Sequence, residues 1–304
     1  MKEQVELSLR IATRGSRLAL RQTQRVIELL SEIEPEAEFE TVIVSTAGDR
    51  DQKSSIEKLG GQGIFVTDVQ AAVLSGDAEM AVHSAKDLPA KTNPGLILAS
   101  IPERVDPRDA LVGCHWNELP EGALIATGSI RRRSHLSHLR PDLKFQELRG
   151  NIETRLSHVN NVDAVVVAKA ALDRLDIFPE NLDTLETSIL LPQVGQGALA
   201  LECREGDLQT IQILKRIEDQ EVRNVIDAER AFLAEIGSGC SLPVAAHGEI
   251  KNQEILLKAS IASKDGKILL KSEGAGIDPF KLGKSIANKL LNEEGGRLLL
   301  NENM

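Results

Sequence analysis

The sequence predicts an α/β protein of two doubly wound units followed by a small α+β domain. Three observations carry that reading. Strand-like and helix-like segments alternate over the first 100 residues, and a second alternation follows the polar, proline-bearing stretch "IPERVDPRD". From about residue 218 the pattern changes to a helix, three alternating strands and a closing helix.

In order along the chain, "VELSLRIAT" reads as a strand and "LALRQTQRVIELLSEI" as an amphipathic helix with apolar positions at helical spacing. "FETVIVST" is again strand-like, and "TDVQAAVLSG" opens a helix with a capping-box pattern from Thr67 to Gln70. "AEMAVHSA" is a short buried strand, so the first unit predicts a largely parallel sheet covered on both faces. In the second unit "ALIAT" is a strand, "TGSIRRRSHL" starts a helix with Ser129 as its N-cap, and "LKFQELR" is a strand. "IETRLSHV" is helical, and "VDAVVVA" is the continuous apolar run of a strand inside a parallel sheet. "LPQVGQGALALECR" is expected to cross back to the first unit. The last part holds a helix, "DQEVRNVIDAERAFLAEIG", and strands in "PVAAHGEI", "EILLKASIAS" and "KILLKSEG", with an Asp-Gly turn at 265–266. The expected domains are 1–101 with the return segment 194–216, then 102–193, then 217–304.

The 304 residues suffice for two or three domains, and 41% apolar content is that of a soluble globular chain. No apolar run has the length of a signal peptide or a membrane span, so a cytoplasmic location is expected. Cys114, Cys203 and Cys240 form no CxxC pair, which favours a reducing compartment and argues against structural zinc. A net charge of -10, 2% aromatics and no tyrosine speak against nucleic-acid binding.

Within this acidic chain, residues 127–155 hold seven Arg or Lys against three acids. Arg131, Arg132 and Arg133 stand together at a helix start, where the dipole disfavours cations and an anion would relieve both. Other strand ends repeat the theme: Arg14 and Ser16 in "ATRGS", Lys86 and Asp87 in "HSAKDLP", Ser129 in "TGS" and Arg149 in "LRGN", with Arg155 shortly after. One phosphate would need one such nest, whereas a ligand with several carboxylates accounts for many. Asp87 reads either as a turn residue paired with Lys86 or as a lone carboxylate that steadies a cation or relays a proton. Cys240, in the small-residue loop "GSGCSLP", reads either as incidental or as a covalent tether. His83 is expected to be a core or edge residue. "GQGALA" matches G-x-G-x-x-A formally, but it leads into a strand pattern, so a dinucleotide site is rejected. "KLGGQGIF", with three glycines in four residues, reads as a flap.

Taken together, "RIATRGSRLALRQ", "HSAKDLP", "TGSIRRR", "LRGNIETRL", "VGQGALALECR" and "GCSLPVAAHG" resemble the porphobilinogen deaminase (hydroxymethylbilane synthase) family, in its motif order over roughly residues 10 to 248. The resemblance implies three domains, the first two similar to type II periplasmic binding protein lobes. It implies a monomeric transferase that condenses four porphobilinogen units head to tail, with loss of ammonia, onto a dipyrromethane cofactor, and then releases hydroxymethylbilane by hydrolysis. Cys240 would carry the cofactor through a thioether, and Asp87 would assist ammonia loss and stabilise the resulting cation. Arg14, Ser16, Lys58, Lys86, Ser129, Arg131, Arg132, Arg149, Arg155, Arg174 and Gln196 match positions that hold cofactor or substrate. Gln62 departs from the family's flap, where many members have lysine: it can hydrogen-bond a carboxylate but adds no charge; Arg133 is expected to face solvent. The alternative reading is a non-catalytic carboxylate-binding protein of the same two-lobed build, which would need neither Asp87 nor Cys240.

Overall fold

The computed structural model describes residues 7–46, 48, 63, 65–237 and 242–301. Lys58, Gln62 and Cys240 lie outside the described residues, as does most of the expected flap. The chain divides into two units, residues 1–104 with 198–223, and residues 105–197 with 224–304. The break at 104–105 falls within "IPERVDPRD".

The first unit opens with β1 (Ser8–Arg14), α1 (Arg17–Ile33), β2 (Glu38–Val44), α2 (Thr67–Leu74), β3 (Met80–Ser84) and β4 (Leu96–Ser100). The second holds β5 (Asp109–Val112), β6 (Leu124–Ala126), α3 (Ile130–Leu139), β7 (Lys144–Gln146), α4 (Ile152–Leu156), β8 (Ala164–Ala168), α5 (Lys169–Arg174) and β9 (Leu182–Thr184). The chain re-enters the first unit as β10 (Leu199–Arg204) and α6 (Leu208–Lys215). It ends with α7 (Gln220–Ile236), β11 (Val244–Lys251), β12 (Glu254–Ala262), β13 (Leu269–Gly276), α8 (Pro279–Asn288) and α9 (Gly296–Asn301).

The two larger sheets have the same build. Their strand orders are β2-β1-β3-β10-β4 and β7-β6-β8-β5-β9. In each, the first three strands are parallel, and the fourth runs antiparallel to both its neighbours. The reversed strand is in each case the first one laid down after the chain enters that unit from the other, which is why the alternation in the sequence predicts a parallel sheet and overlooks it.

Side chains of β1 alternate between two cores. Leu9 and Ile11 pack with Val26 and Leu30 of α1, while Ala12 packs with Val69 and Val73 of α2. The second sheet is likewise covered on both faces, by Leu136 of α3 on one and Leu172 of α5 on the other. β8 is buried throughout, as its unbroken apolar run requires.

Helix starts follow their capping chemistry. The Ser16 hydroxyl accepts from the Ala19 amide at 3.3 Å, and the Ser129 hydroxyl accepts from the Arg132 amide at 3.4 Å. The capping box expected at Thr67 does not form. Thr67 is already helical and its hydroxyl donates to the Gly63 carbonyl (2.9 Å), while Gln70 donates instead to the buried Glu202 carboxylate at 2.7 Å. A buried carboxylate is the stronger acceptor and draws the amide away.

The C-terminal strands form an antiparallel sheet, β11-β12-β13, turned at Gly266 with φ +74°. α8 approaches α7 closely because residue 283 lacks a side chain: a Cβ there would lie 2.3 Å from the Ala228 carbonyl oxygen and 2.7 Å from the Phe232 nitrogen. The back of α3 docks on this C-terminal part. The Ser134 hydroxyl donates to the Lys264 carbonyl (3.1 Å), and the buried His135 ring bridges the Arg131 carbonyl and the Ser260 hydroxyl, 2.8 Å to each. The carbonyl can only accept, so His135 is the neutral Nδ1–H tautomer and its Nε2 accepts from Ser260. Burial, reinforced by the Arg131 charge, lowers the His135 pKa to about 3.

Two outcomes are expected. Gly283→Ala forces the helices apart and should lower the unfolding free energy by about 2 kcal/mol or more, read by denaturant unfolding; an unchanged midpoint would contradict the packing. Unfolded His135 takes up a proton near pH 6.5 and the folded residue does not, so stability is complete above that pH and falls below it, by about 2 kcal/mol at pH 5. His135→Gln should be less stable than wild type at pH 7.5, and the gap should narrow by pH 5. A gap independent of pH would contradict the neutral buried ring.

Candidate active site

In the first unit β1 and β3 are parallel neighbours, with Ile11 opposite Met80, so both strands end on one edge of the sheet. Arg14 is the last residue of β1, and the Ser16 cap of α1 follows at once. The Arg14 guanidinium lies 4.2 Å from the centroid of the Phe65 ring, a cation–π contact. At the end of β3, residues Ala85–Asp87 form a single 3-10 turn that stops at Leu88, whose side chain is buried. That turn carries Lys86 and Asp87 out of the strand, both half-buried. No hydrogen bond or ion pair joins the Asp87 carboxylate to another described residue, whereas Lys86 is engaged. Gln22 of α1 donates to the Ser84 hydroxyl at 3.1 Å, tying the helix to the end of the strand. His83 is buried, as expected of a core residue, with Nε2 3.2 Å from Glu202 and out of line for a hydrogen bond.

In the second unit the cations again sit beyond parallel strands. Gly128 lets the loop after β6 press on the loop after β7: a Cβ there would lie 2.4 Å from the Leu148 carbonyl oxygen. The two loops therefore bring Ser129 and Arg149 close in the fold. Arg149 is half-buried and only loosely associated with Glu147, at 3.9 Å. Arg155, in the short helix capped by Asn151, donates through Nε to the Gly150 carbonyl at 3.0 Å. Arg174 ends α5 and donates to the Gly197 carbonyl at 2.9 Å. Arg133 is exposed, as expected.

Arg131 and Arg132 are placed differently. Their side chains are only 4% and 7% exposed, and both turn onto Asp109, which is fully buried at the start of β5. Arg131 Nη2 donates to one carboxylate oxygen at 2.7 Å. Arg132 donates to the other through Nε (3.0 Å) and Nη2 (2.8 Å). Gln196, also fully buried, adds a hydrogen bond to the same oxygen at 2.9 Å and donates to the Pro107 carbonyl at 2.7 Å. The remaining Nη1 groups donate to the Leu191 and Val166 carbonyls, at 2.6 and 2.8 Å. Arg131 Nε has no acceptor among the described residues. Burial by itself would raise the Asp109 pKa, but the two guanidiniums outweigh it and hold the group at about 2. The anion at the start of the arginine helix is thus, first, a carboxylate of the protein itself. Sequence reasoning missed Asp109 because it follows "RVDPR", where an acid reads as part of a solvated linker; its sole signal is that it opens the apolar run "ALV".

The donor set fits a group bearing several carboxylates. The first unit offers a half-buried guanidinium, an ammonium and the Ser16 hydroxyl at a helix N-terminus; the second offers half-buried guanidiniums, the Ser129 hydroxyl and one buried Arg131 N–H lacking an acceptor among the described residues. Among the described residues no group of three His, Cys, Asp or Glu is arranged to hold a metal, and no helix is long and apolar enough to cross a membrane.

Two family models match the chain: "Porphobilinogen deaminase, dipyromethane cofactor binding domain" over residues 9–212, and "Porphobilinogen deaminase, C-terminal domain" over residues 224–292. Among similar proteins, the porphobilinogen deaminase of Brevibacillus brevis is 41% identical over 296 residues, covering 95% of this chain and 96% of that one. The porphobilinogen deaminase of Syntrophotalea carbinolica is 40% identical over 299 residues, covering 96% and 95%. Among solved structures, the BenM effector binding domain with benzoate aligns with a TM-score of 0.42 at 16% identity, covering 70% of this chain and 92% of that one. The methionine binding protein MetQ aligns at 0.43 and 12% identity, covering 69% and 88%. With matches that run from residue 9 to residue 292, the chain belongs to the porphobilinogen deaminase family.

Proposed function

We propose that this chain is a porphobilinogen deaminase, a transferase that joins four porphobilinogen units head to tail with loss of ammonia and then releases hydroxymethylbilane by hydrolysis. The observation that carries the proposal is the near-full-length relationship to porphobilinogen deaminases at 40–41% identity. The site geometry supports it. Asp87 stands at the carboxyl end of β3 on a turn that lifts it out of the strand, with no bond to another described residue.

In this reading each residue has a physical task. When bound through a thioether to Cys240, dipyrromethane supplies the carbon nucleophile that primes the chain. Asp87 faces the positive charge that develops as the aminomethyl C–N bond of porphobilinogen breaks and ammonia departs, and its carboxylate stabilises that charge. Arg14, Lys86, Arg149, Arg155 and Arg174 pair with acetate and propionate arms, and Ser16 and Ser129 add hydroxyl donors at helix starts. Arg131, Arg132 and Gln196 serve the same arms from within the Asp109 cluster. Lys58 completes the set from the flap. In this reading the chain forms two lobes, 1–101 with 194–216 and 102–193, and a small domain, 217–304, that bears Cys240. The enzyme acts as a cytoplasmic monomer and needs no nucleic acid.

A carboxylate-binding protein without catalysis would share the arginines but not the tether. The intact mass of the active protein should exceed the polypeptide mass by two pyrrole units, and Cys240→Ser should abolish the excess. A bare polypeptide mass in active protein would overturn the proposal. Asp87→Ala should reduce turnover by about 10²-fold or more; near-normal turnover would remove Asp87 from the chemistry.

A further inference from the structure

Asp109 sits where a carboxylate has no place unless it is needed. It opens β5 inside the second sheet, paired to Ala168 on one side, with its carbonyl accepting from the Leu185 amide at 2.9 Å. Its backbone therefore has no freedom, and a charge at 0% exposure costs several kcal/mol unless compensated. Compensation is supplied in excess: two guanidiniums and one amide meet one carboxylate. Among the described residues Asp109 is the one acid paired with Arg131 and Arg132, so two guanidiniums face one carboxylate and the buried cluster carries one positive charge in excess. That surplus lies in the first turn of α3, where the helix dipole adds to it. It also comes with an orphan donor, Arg131 Nε, buried and without an acceptor among the described residues.

Resting on the function proposed above, we propose that Asp109 is a positioning residue that sets the charge and the aim of this seat. It accepts four hydrogen bonds from Arg131, Arg132 and Gln196, so that a single net charge and the Nε–H of Arg131 are left for one carboxylate of the pyrrole substrate. Gln196 holds Asp109 from the return segment, and the Leu191 and Val166 carbonyls fix the far ends of the guanidiniums. With the carboxylate gone, an amide at position 109 would aim its own N–H groups at one of these donors, and the arginine facing it would have to turn away.

The test separates aim from simple stability. In the full-length enzyme Asp109→Asn should raise the KM for porphobilinogen about tenfold or more while kcat stays within about threefold, because an interaction made equally before and during the reaction has been lost. Equilibrium dialysis of porphobilinogen against the Asp87→Ala chain, with and without Asp109→Asn, should show the same weakening without any turnover. Should Asp109→Asn fail to fold, Asp109→Glu keeps the charge, displaces both guanidiniums by one methylene, and should raise KM in the same way. A KM equal to wild type, with kcat reduced only in proportion to the folded fraction, would overturn the proposal. Wild type run in the same assay separates this from the function itself: no turnover by wild type would refute the deaminase reading, whereas normal wild-type turnover with an unmoved KM in the variants refutes the role of Asp109 alone.

Discussion

The second unit is organised around one buried ion cluster. Asp109 joins the start of β5, the first turn of α3 and the return segment through Gln196, three pieces of chain that approach from separate directions. Neither sign is tolerable alone: an unpaired Asp109 inside the sheet, or two unpaired arginines beneath the helix, would each cost more than most single packing defects. The cluster also fixes where α3 begins. Ser129 caps the helix, His135 holds the Arg131 carbonyl from one turn further on, and Ser134 and Ser260 fasten the same helix to the C-terminal strands. Arginine position, helix start and attachment of the cysteine-bearing part of the chain are thus decided together.

The repeated sheet order has a structural consequence. Both sheets place three parallel strands side by side, so both present several strand ends on one edge. Those ends supply N–H groups, caps and room for a cation, which is where ligands of such sheets are held. In the first unit that edge carries Arg14, Ser16, Lys86 and Asp87, and in the second Ser129, Arg149 and Arg155.

Much of this was legible in the residues because it rests on local rules. An unbroken AVVVA run can only be an interior strand, and a serine before an amphipathic run can be read as a cap, as at Ser16 and Ser129. The capping box at Thr67 failed because a remote acid, Glu202, 132 residues away, outcompeted a neighbour for Gln70. Asp109 was invisible for a related reason. Its partners lie 22, 23 and 87 positions away, and its own surroundings read as linker. Nor does spacing reveal that two adjacent arginines share a target, since neighbouring helical positions diverge by about 100°. Tertiary geometry turns both inward, and no periodicity in the sequence encodes it.

The central claim is that guanidiniums at strand ends hold the carboxylates of a pyrrole chain tethered at Cys240. The most direct measurement is a crystal structure of the active enzyme at a resolution that separates individual carboxylate oxygens. Density for linked pyrroles continuous with the Cys240 sulfur is predicted, with carboxylates within hydrogen-bond distance of Arg149, Arg155 and the Arg131 Nε. Pyrroles bound elsewhere, or carboxylates turned to solvent while those arginines contact only the protein, would contradict it.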